Sequence, residues 1–545
     1  MSKVADAKNR RKIIHPFLVA VFPVLIIYSQ NVGRVNFEEV VIPIIFVLIL
    51  SIGLYYFLKI ILKNAYKAAL VVTILLIILF SYGHIYYLLN DVSIDGFDVG
   101  RNRYLIPIFG ITLVTSIFFV LRAKKVFDNV TSIINFMSVI FVIVAISNVG
   151  FVVYEMTECE TCPKQAMFYE RIDFSKYFEE HKFVISDDNI PPDVYYLILD
   201  EYARSDALSD YHNFDNDEFT EYLESKGFHV AKNSFTNYPM SIQAIPATMN
   251  MQYVNFLADE IGTEVRNYKP LNEKDYGLYP NNMVIKNFKE MDYKIITFNT
   301  FALHLHENPL ADEKLCYKTK FLFENRILDI LGRISIFGYY VERWAEGEHR
   351  QVILCTFEKL PAASNVFEEP VFVWAHVMLP HPPWVFGPNG EEITPGKPLL
   401  ITDNPEFRDS GWEPKKQYVQ QVEFANKKTI EAIEGILEHN SNSIIIIQGD
   451  HGTSWGVNWE EPSRDDIWQR MRNFDAIYFP DEEKRQYLTD DRTLVNTFRV
   501  VFNTYFNSDY EILDDKMYWG YNKKPYIFED VTEVIAHNAI KEPNF

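Results

Sequence analysis

The first third of the chain, roughly 155 residues, carries one long apolar run after another and limits what this part can fold into. Each run comes close to the ~20 residues that a helix needs to cross a bilayer. The remainder has the composition of an acidic globular protein, so we expect at least two domains. The five runs are Ile13–Tyr28, Val40–Leu58, Ala68–Leu89, Tyr104–Leu121 and Ile133–Val153.

The first run is the shortest, and four basic residues precede it, which is also the pattern of a signal peptide. No small-residue cleavage site follows it, and four more apolar runs do. We therefore interpret it as the first of five membrane spans rather than as a cleaved leader.

Lysine and arginine in the short loops predict the orientation. They are dense in the N-terminal tail and after the second and fourth runs, and sparse in the other two loops. Because short cytoplasmic loops carry the excess of basic residues, the N-terminus is predicted inside and everything after Tyr154 outside. The basic residues on the predicted inner side are Lys3, Lys8, Arg10, Arg11, Lys12, Lys59, Lys63, Lys67, Arg122, Lys124 and Lys125.

Net charge and cysteines restrict the predicted external part further. The formal net charge is −21, which argues against a nucleic-acid partner, because such proteins need a basic face. All four cysteines (Cys159, Cys162, Cys316 and Cys355) lie outside, where disulfides persist. The Cys159–Cys162 spacing allows a local disulfide, a metal knuckle or a redox pair, and we expect a structural disulfide because no second such pair accompanies it.

From about Asn189 onward, short apolar runs alternate with amphipathic stretches, which predicts an α/β domain with a mainly parallel sheet flanked by helices. Binding sites in such sheets form at the carboxyl ends of the strands. We predict strands at Val194–Leu199, Lys294–Phe298, Val371–Met378, Ser443–Ile447 and Ala476–Phe479, and helices at Asn281–Glu290, Pro414–His439 and Leu494–Phe506.

Ligand-type side chains follow or occupy three of these strands. One strand-end aspartate is usually a turn or a helix cap, but the coincidence at three strand ends indicates a divalent cation. Mixed oxygen and nitrogen ligands suit zinc or manganese better than calcium. The residues are Asp200 and Glu201 after the first strand, His376 and His381 in and after the third, and Asp450 and His451 after the fourth.

The segment 237–251 offers a nucleophile, either Ser241 or Thr248. A serine hydroxyl is a weak nucleophile at its free pKa, and a neighbouring cation can activate it. The alternative for Ser241 is an ordinary helix cap in a loop.

The series LILDEYARSD, SIQAIPATMN, HVMLPHPPW and QGDHG resembles the sulfatase-like branch of the alkaline phosphatase superfamily. In plan the chain is similar to lipoteichoic acid synthases and lipid A phosphoethanolamine transferases, which also have about five spans before an external catalytic domain. The resemblance implies a transmembrane domain at 1–155, a linker at 156–188 and an extracytoplasmic domain at 189–545. It also implies a multi-pass protein of the bacterial cytoplasmic (inner) membrane.

Carried over by motif, the resemblance implies a role for each candidate residue. Glu201 matches an acidic metal ligand, and Asp200 beside it is a second candidate ligand. Ser241 matches the nucleophile, which also contacts the metal. The late pair Asp450 and His451 matches metal ligands, and His376 and His381 resemble paired histidines that contact the substrate phosphate.

One departure from true sulfatases narrows the expected chemistry. Those enzymes carry C/S-x-P-x-R at the nucleophile, whereas Gln243 and Ile245 stand two and four residues after Ser241. Conversion of Ser241 to formylglycine is therefore not expected, and sulfate-ester hydrolysis is less favoured.

The function that the resemblance implies is metal-dependent transfer of a phospholipid head group, phosphoglycerol or phosphoethanolamine. The partners would be a phospholipid donor in the membrane and an envelope glycan or glycolipid acceptor, with a covalent Ser241 intermediate. Mn²⁺ or Zn²⁺ is the expected cofactor, with Mg²⁺ as a further option. Two alternatives remain: a membrane-anchored phosphate- or sulfate-ester hydrolase, and a non-enzymatic partner in envelope assembly.

Overall fold

The computed structural model describes most of the chain and divides it into two compact units. Unit 1 comprises Met1–Phe168 and Thr319–Arg343, and unit 2 comprises Tyr169–Lys318 and Trp344–Phe545. The described residues are 12–32, 35, 37–89, 92–94, 97–100, 102–123, 127–158, 174–178, 183, 191–263, 277–300, 308–317, 325–394, 412–521 and 524–539.

Five apolar helices form most of unit 1, as the sequence predicts. Among the described residues, four helices are long and apolar enough to cross a membrane, and the first, with 16 residues, is shorter. The count of five spans therefore stays a prediction. The elements are α1 (His15–Gln30), α2 (Glu38–Leu62), α3 (Ala65–Leu89), the antiparallel pair β1 (Ser93–Ile94) and β2 (Phe97–Asp98), α4 (Asn102–Arg122) and α5 (Asp128–Glu158).

The α/β fold of unit 2 is built from the remaining strands and most of the remaining helices. The strands are β3 (Asp193–Leu199), β4 (Phe228–Val230), β5 (Lys294–Phe298), β6 (Glu313–Leu315), β7 (Val371–Val377), β8 (Ser443–Gln448), β9 (Asp475–Tyr478), β10 (Tyr518–Tyr521) and β11 (Lys524–Asp530). The helices of the second part of the chain are α6 (Ser205–His212), α7 (Asp217–Ser225), α8 (Ser241–Asn250), α9 (Leu257–Ile261), α10 (Met283–Glu290), α11 (Arg326–Arg333), α12 (Gly338–Lys359), α13 (Pro414–His439), α14 (Arg464–Met471), α15 (Thr497–Tyr505) and α16 (Thr532–Ala539). Short 3₁₀ helices occur at Ser175–Tyr177, Leu360–Val366, Glu482–Tyr487 and Leu494–Asn496.

Seven strands form one mixed, mainly parallel sheet in the order β4-β9-β8-β3-β7-β5-β6. The strand β3 lies at the centre, parallel to both β7 and β8. Among the described strands of this sheet the exception lies at one edge, where β9 runs antiparallel to both β8 and β4. The predicted fold class is therefore confirmed, and a separate antiparallel pair, β10 and β11, was not predicted.

Both faces of the central strands are buried, which explains why their sequences are continuous apolar runs rather than alternating ones. Every residue of β3, β7 and β8 is buried. Along β3, Tyr196 and Ile198 face one hydrophobic cluster, while Tyr195 and Leu197 face the other. The strand ends are thereby held rigidly between two packed layers.

The predicted domain boundaries stay predictions, and the structure adds one feature to them. The segment Thr319–Arg343 follows the first strands of the α/β domain in sequence but belongs to unit 1. A disulfide joins Cys316 to Cys355 on either side of it. Cys159 and Cys162, with their predicted bond, lie outside the described residues.

Candidate active site

The register of the central strands brings the polar residues together. Ile198 of β3 pairs with His376 of β7 on one side and with Gln448 of β8 on the other. Because these strands are parallel, their carboxyl ends meet at one edge of the sheet. Asp200 and Asp450 each come two residues after this level, so both carboxylates reach the same point.

Asp200, His376 and Asp450 form a buried group of the kind that holds a metal ion. One ligand atom from each of the three lies within 4.8 Å of the others. His376 Nε2 is 2.9 Å from Asp200 Oδ2. Asp200 Oδ1 and Asp450 Oδ2 accept no hydrogen bond from any described residue. Burying two carboxylate oxygens without hydrogen bonds lowers the stability of the fold unless a cation or a proton compensates their negative charge.

The pKa values of the two carboxyl groups are driven apart. Burial alone would raise the pKa of Asp200, but the neighbouring histidines His381, His376 and His451 outweigh burial and hold it below its usual value. Burial and the charge of Asp200 raise the pKa of Asp450 well above its usual value. Two close carboxylates cannot both ionise without a compensating charge, which is the charge that a divalent cation carries.

His451 connects this pair to the serine. Its Nε2 lies 3.3 Å from Asp450 Oδ2, 3.7 Å from Asp200 Oδ1 and 3.0 Å from Ser241 Oγ. Its Nδ1 lies 3.2 Å from the Gly452 carbonyl oxygen, and a hydrogen bond donated there assigns the proton to Nδ1. The Nε2 lone pair then points at the carboxylates and the serine, as a metal ligand requires.

Ser241 is the first residue of α8, and its side chain is partly exposed. Met240 before it is extended, so the chain turns into the helix at the serine. A helix N-terminus favours negative charge, which suits a serine oxygen that attacks or carries a phosphoryl group. Thr248, the other candidate nucleophile, is buried and donates its hydroxyl to the Ala244 carbonyl oxygen.

Gln243 and Ile245, which mark the departure from sulfatases, are both buried in α8. Gln243 donates through Nε2 to the Pro525 carbonyl oxygen at 2.6 Å. Ile245 belongs to the hydrophobic cluster on that side of the sheet. The two residues therefore serve packing at positions where the sulfatase pattern has proline and arginine.

Glu201 lies beside the group with its carboxylate in a different set of contacts. Its backbone is in the left-handed region, with φ of 65°, which turns consecutive side chains apart. Its Oε1 accepts hydrogen bonds from the Ser454 backbone N–H and hydroxyl, at 2.7 and 2.5 Å. Its Oε1 also lies 3.5 Å from Arg470 Nη1. The role of Glu201 as a metal ligand stays a prediction.

The two histidines predicted to bind substrate both lie at the carboxylate pair. His376 contacts the Asp200 carboxylate from within β7. His381 is buried after the strand, and its backbone N–H donates to the Asp200 carbonyl oxygen at 3.1 Å. Their predicted contact with a phosphate stays a prediction, as do the other assigned roles.

Sequence reasoning missed Arg470, a fully buried arginine of α14. Its Nη2 lies 3.1 Å from His451 Nε2, and its Nη1 donates to the Gly452 carbonyl oxygen at 2.8 Å. The signal was helical spacing: Arg470 lies three residues after Ile467 and one before Met471, both buried, and so faces the core.

The donor set fits a divalent cation. It combines the two carboxylate oxygens, imidazole nitrogens and a serine oxygen at one buried point. Oxygen and nitrogen donors together match Zn²⁺ or Mn²⁺. The fold and site thus define an α/β domain with a serine at a helix N-terminus beside a candidate metal centre.

Comparisons with known proteins add structures of similar plan. No protein-family model matches the sequence, and no curated protein matches it. The chain is similar to the zinc complex of the C-terminal periplasmic domain of EcEptC from Escherichia coli, with 13% identity and a TM-score of 0.41, covering 64% of this chain and 95% of that one. It is similar to the same domain of phosphoethanolamine transferase EptC from Campylobacter jejuni, with 12% identity and a TM-score of 0.36, covering 62% and 95%.

A third match includes a membrane part. It is the integral membrane protein lipooligosaccharide phosphoethanolamine transferase A from Neisseria meningitidis, with 10% identity and a TM-score of 0.37, covering 90% of this chain and 95% of that one.

Proposed function

We propose that this chain transfers a head group, phosphoglycerol or phosphoethanolamine, from a phospholipid to an envelope glycan or glycolipid through a covalent Ser241 intermediate. One observation carries the proposal: Ser241 Oγ, at the N-terminus of α8, lies 3.0 Å from His451 Nε2 beside the buried pair Asp200 and Asp450. A nucleophile, an imidazole and paired carboxylates within a few ångströms are the parts that phosphoryl transfer by covalent catalysis needs.

Asp200, Asp450 and His451 would hold the divalent cation, with Ser241 at its edge and His376 and Glu201 as further candidate ligands. When bound, the cation would lower the pKa of the serine hydroxyl and offset negative charge on the phosphoryl oxygens. The serine at the edge of this group is partly exposed, so a substrate can reach it from solvent.

In the first step, Ser241 Oγ attacks the phosphorus of the lipid phosphodiester. The phosphorus–oxygen bond to the lipid glycerol breaks, and the proton lost by the serine ends on the diacylglycerol that leaves. Ser241 Oγ lies 3.0 Å from His451 Nε2 and therefore starts beside the residues that would hold the cation. The N-terminus of α8 stabilises the negative phosphoryl oxygens, and His381 is the proposed side-chain contact for them.

In the second step, an acceptor hydroxyl attacks the same phosphorus. The bond to Ser241 Oγ breaks, the acceptor proton returns to the serine, and the head group is released on the glycan. The enzyme is thus regenerated without any further reactant. Arg470, which is fully buried, and His451 Nδ1 both contact the Gly452 carbonyl oxygen, and this shared contact would keep the imidazole oriented in both steps.

A lipid donor would explain why the apolar helices and the α/β domain occur in the same chain. Helices long and apolar enough to cross a bilayer would keep the site beside the outer leaflet. The proposed location is the bacterial inner membrane, with five spans and the α/β domain outside.

The test is mass spectrometry of the Ser241 peptide after incubation with vesicles of phosphatidylethanolamine and phosphatidylglycerol. We expect an added mass of phosphoethanolamine or phosphoglycerol on Ser241, absent from Ser241→Ala and retained by Ser241→Thr. Release of diacylglycerol with an unmodified serine would contradict the covalent step. An absence of both products in metal-loaded protein would contradict the function.

The hydrolase alternative has the same first step with water as acceptor, so the assay must include an acceptor arm. Transfer predicts that added envelope glycolipid gains the head group and that free head group falls correspondingly. Free head group as the sole product in both arms would favour the hydrolase. If Ser241→Ala supports wild-type envelope composition in cells, the non-enzymatic alternative would stand.

A further inference from the structure

One segment that lies within the sequence of the α/β domain packs with the apolar helices instead. The segment Asn325–Arg343, which follows the first strands of the α/β domain, packs within unit 1. Its helix α11 places Ile327 and Leu331 in the same buried cluster as side chains of α1, α2 and α3. Its apolar residues recur at helical spacing, so it reads as an amphipathic surface helix rather than a span.

The attachment is made by the backbone and is therefore specific. The N–H of Gly83 in α3 donates to the Ile334 carbonyl oxygen at 2.9 Å, and the N–H of Ile336 donates to the Leu79 carbonyl oxygen at 3.0 Å. A Cβ atom on Gly83 would stand 2.5 Å from the Ile334 Cα. Only glycine allows the two backbones to come this close.

The contacts place the segment at the ends of the helices that the loop charges assign to the outer side. Leu79 and Gly83 lie ten and six residues before Leu89, the last residue of α3. At 1.5 Å per residue these contacts are about 15 and 9 Å from the outer end of the helix. At the other contact, Asn325 Nδ2 donates to the Glu39 carbonyl oxygen in the first turn of α2.

The outer end of α3 reaches the boundary between hydrocarbon and head groups, and the two contacts lie below that end, in the outer half of the helix. With 25 residues α3 is about 37 Å long, some 7 Å more than the hydrocarbon core, so its outer end reaches the interface. Tyr82, Tyr86 and Tyr87 lie in the same stretch of α3. Tyrosine is enriched where a membrane helix crosses that boundary.

The part of the segment that follows α11 exposes large aromatic side chains. Phe337 is 58% exposed, Tyr339 is 41% exposed and Tyr340 is 69% exposed. We call these three residues the aromatic face. Three large aromatic side chains exposed within four consecutive residues form a candidate binding surface, and tyrosine rings with their polar hydroxyl favour the membrane interface.

We propose that Asn325–Arg343 is a membrane-interface element whose aromatic face inserts into the outer leaflet of the bilayer. The occupant is the bilayer, because the segment continues the buried cluster of the apolar helices and sits at the level of their tyrosines. The proposal does not depend on the reaction catalysed, and it gives a segment of the external chain a direct contact with lipid.

The test uses the full chain in bilayer nanodiscs, with the photo-crosslinker p-benzoylphenylalanine in place of Tyr340. The matched control replaces Tyr487, which is 58% exposed on the α/β domain, and the positive control replaces Phe57, which is 60% exposed on α2. We expect lipid adducts at positions 340 and 57 and none at 487. A lipid adduct at 57 without one at 340, equal adducts at 340 and 487, or a polypeptide adduct at 340 would each overturn the proposal.

A kinetic test separates this inference from the proposed function. With the chain in detergent and the phospholipid supplied in mixed micelles, Phe337→Ser with Tyr340→Ser should raise the KM for the phospholipid roughly tenfold, because the aromatic face contributes to binding of the lipid-bearing surface. Turnover of a water-soluble nitrophenyl phosphodiester should stay unchanged. An unchanged lipid KM would contradict the interface element, whereas absence of all phosphodiester turnover in the wild-type chain would contradict only the proposed function.

Discussion

The helix α4 and the strand β3 are built from the same kinds of residue and meet opposite surroundings. All seven residues of β3 are buried between two protein layers. Of the 21 residues of α4, only Leu105 is buried, and Ile111 is 67% exposed. A helix with so little apolar surface covered by protein needs lipid to cover the rest, while the strand obtains its cover from the fold itself.

This difference shows which part of the chain has its side-chain positions fixed by packing. Packing on both faces fixes the ends of β3, β7 and β8, and the candidate site lies at those ends. The apolar helices require only a stripe of contacts with one another, because lipid tolerates varied side chains elsewhere. We therefore expect function and stability to be sensitive at the strands and their ends, and tolerant on the outward face of α4.

The largest expected effect is at a strand end. Asp450→Asn keeps the size of the side chain but removes a carboxylate from the buried group, so we expect activity to fall by at least about 10³-fold. Bound metal per protein should fall with it. The measurement is the transfer assay together with elemental analysis, and Ile111→Ala on α4 is the matched control. Full metal content and full activity in Asp450→Asn would contradict the expectation that the strand ends are more sensitive to substitution than α4.

The disulfide is expected to come next. Cys316 and Cys355 are 39 residues apart and close the loop that carries Asn325–Arg343. Loop-closure entropy gives about 4 kcal/mol for a loop of this length, so Cys316→Ser with Cys355→Ser should lower the free energy of unfolding by up to that amount. Thermal unfolding with and without reductant checks it. If reductant leaves the thermal unfolding midpoint of the wild-type protein unchanged, the prediction is wrong.

Two isoleucine substitutions compare the cost of removing a side chain from a protein-buried strand with the cost of removing one from an outward-facing helix. Ile295 in β5 is fully buried, and Ile295→Ala should cost about 3 to 4 kcal/mol because it leaves a cavity. Ile111→Ala changes a side chain that faces outward on α4 and should cost less than about 1 kcal/mol. Denaturant unfolding followed in each unit by a local probe gives both values. Equal costs would show that the surroundings of α4 and β5 are alike.

Much of the fold was predictable because run length separates the two regions. A run of four to eight apolar residues predicts a buried strand, and one near 20 residues predicts a span. The predicted helix Pro414–His439 and strand Lys294–Phe298 have the observed bounds. By contrast, α11 has only eight residues, and nothing in its composition says that it packs beside α3 instead of on the sheet.

The candidate site was predictable in its members and less so in its geometry. Strand ends and motif order identified Asp200, Asp450 and Ser241, which the structure brings together. The hydrogen bonds of the Glu201 carboxylate to Ser454 accompany a left-handed backbone at a non-glycine residue, which the sequence does not signal. Arg470 was missed although its spacing from Ile467 indicated the buried face of its helix, because a charged residue on an amphipathic helix is usually exposed to solvent.

The smallest expected effect is a pH dependence within the α/β domain. His212 at the end of α6 is buried, stacks on Tyr418 and lies 3.1 Å from Thr453 Oγ1 through its Nε2. Burial, with Lys415 nearby, lowers the pKa of His212 from 6.5 to about 4. Protonation of His212 therefore favours the unfolded chain. The stabilisation of the folded domain by the neutral His212 ring is complete above pH 6.5 and is lost as pH falls toward 4.

That loss should amount to at most about 3 kcal/mol, because each pKa unit corresponds to about 1.4 kcal/mol. His212→Asn has no titrating ring, so its free energy of unfolding should fall less steeply than that of the wild type between pH 6.5 and 4. Urea unfolding at several pH values gives the two slopes. Parallel slopes would mean that the ring of His212 is as well solvated in the folded domain as in the unfolded chain, against the tight packing expected beside the strand ends.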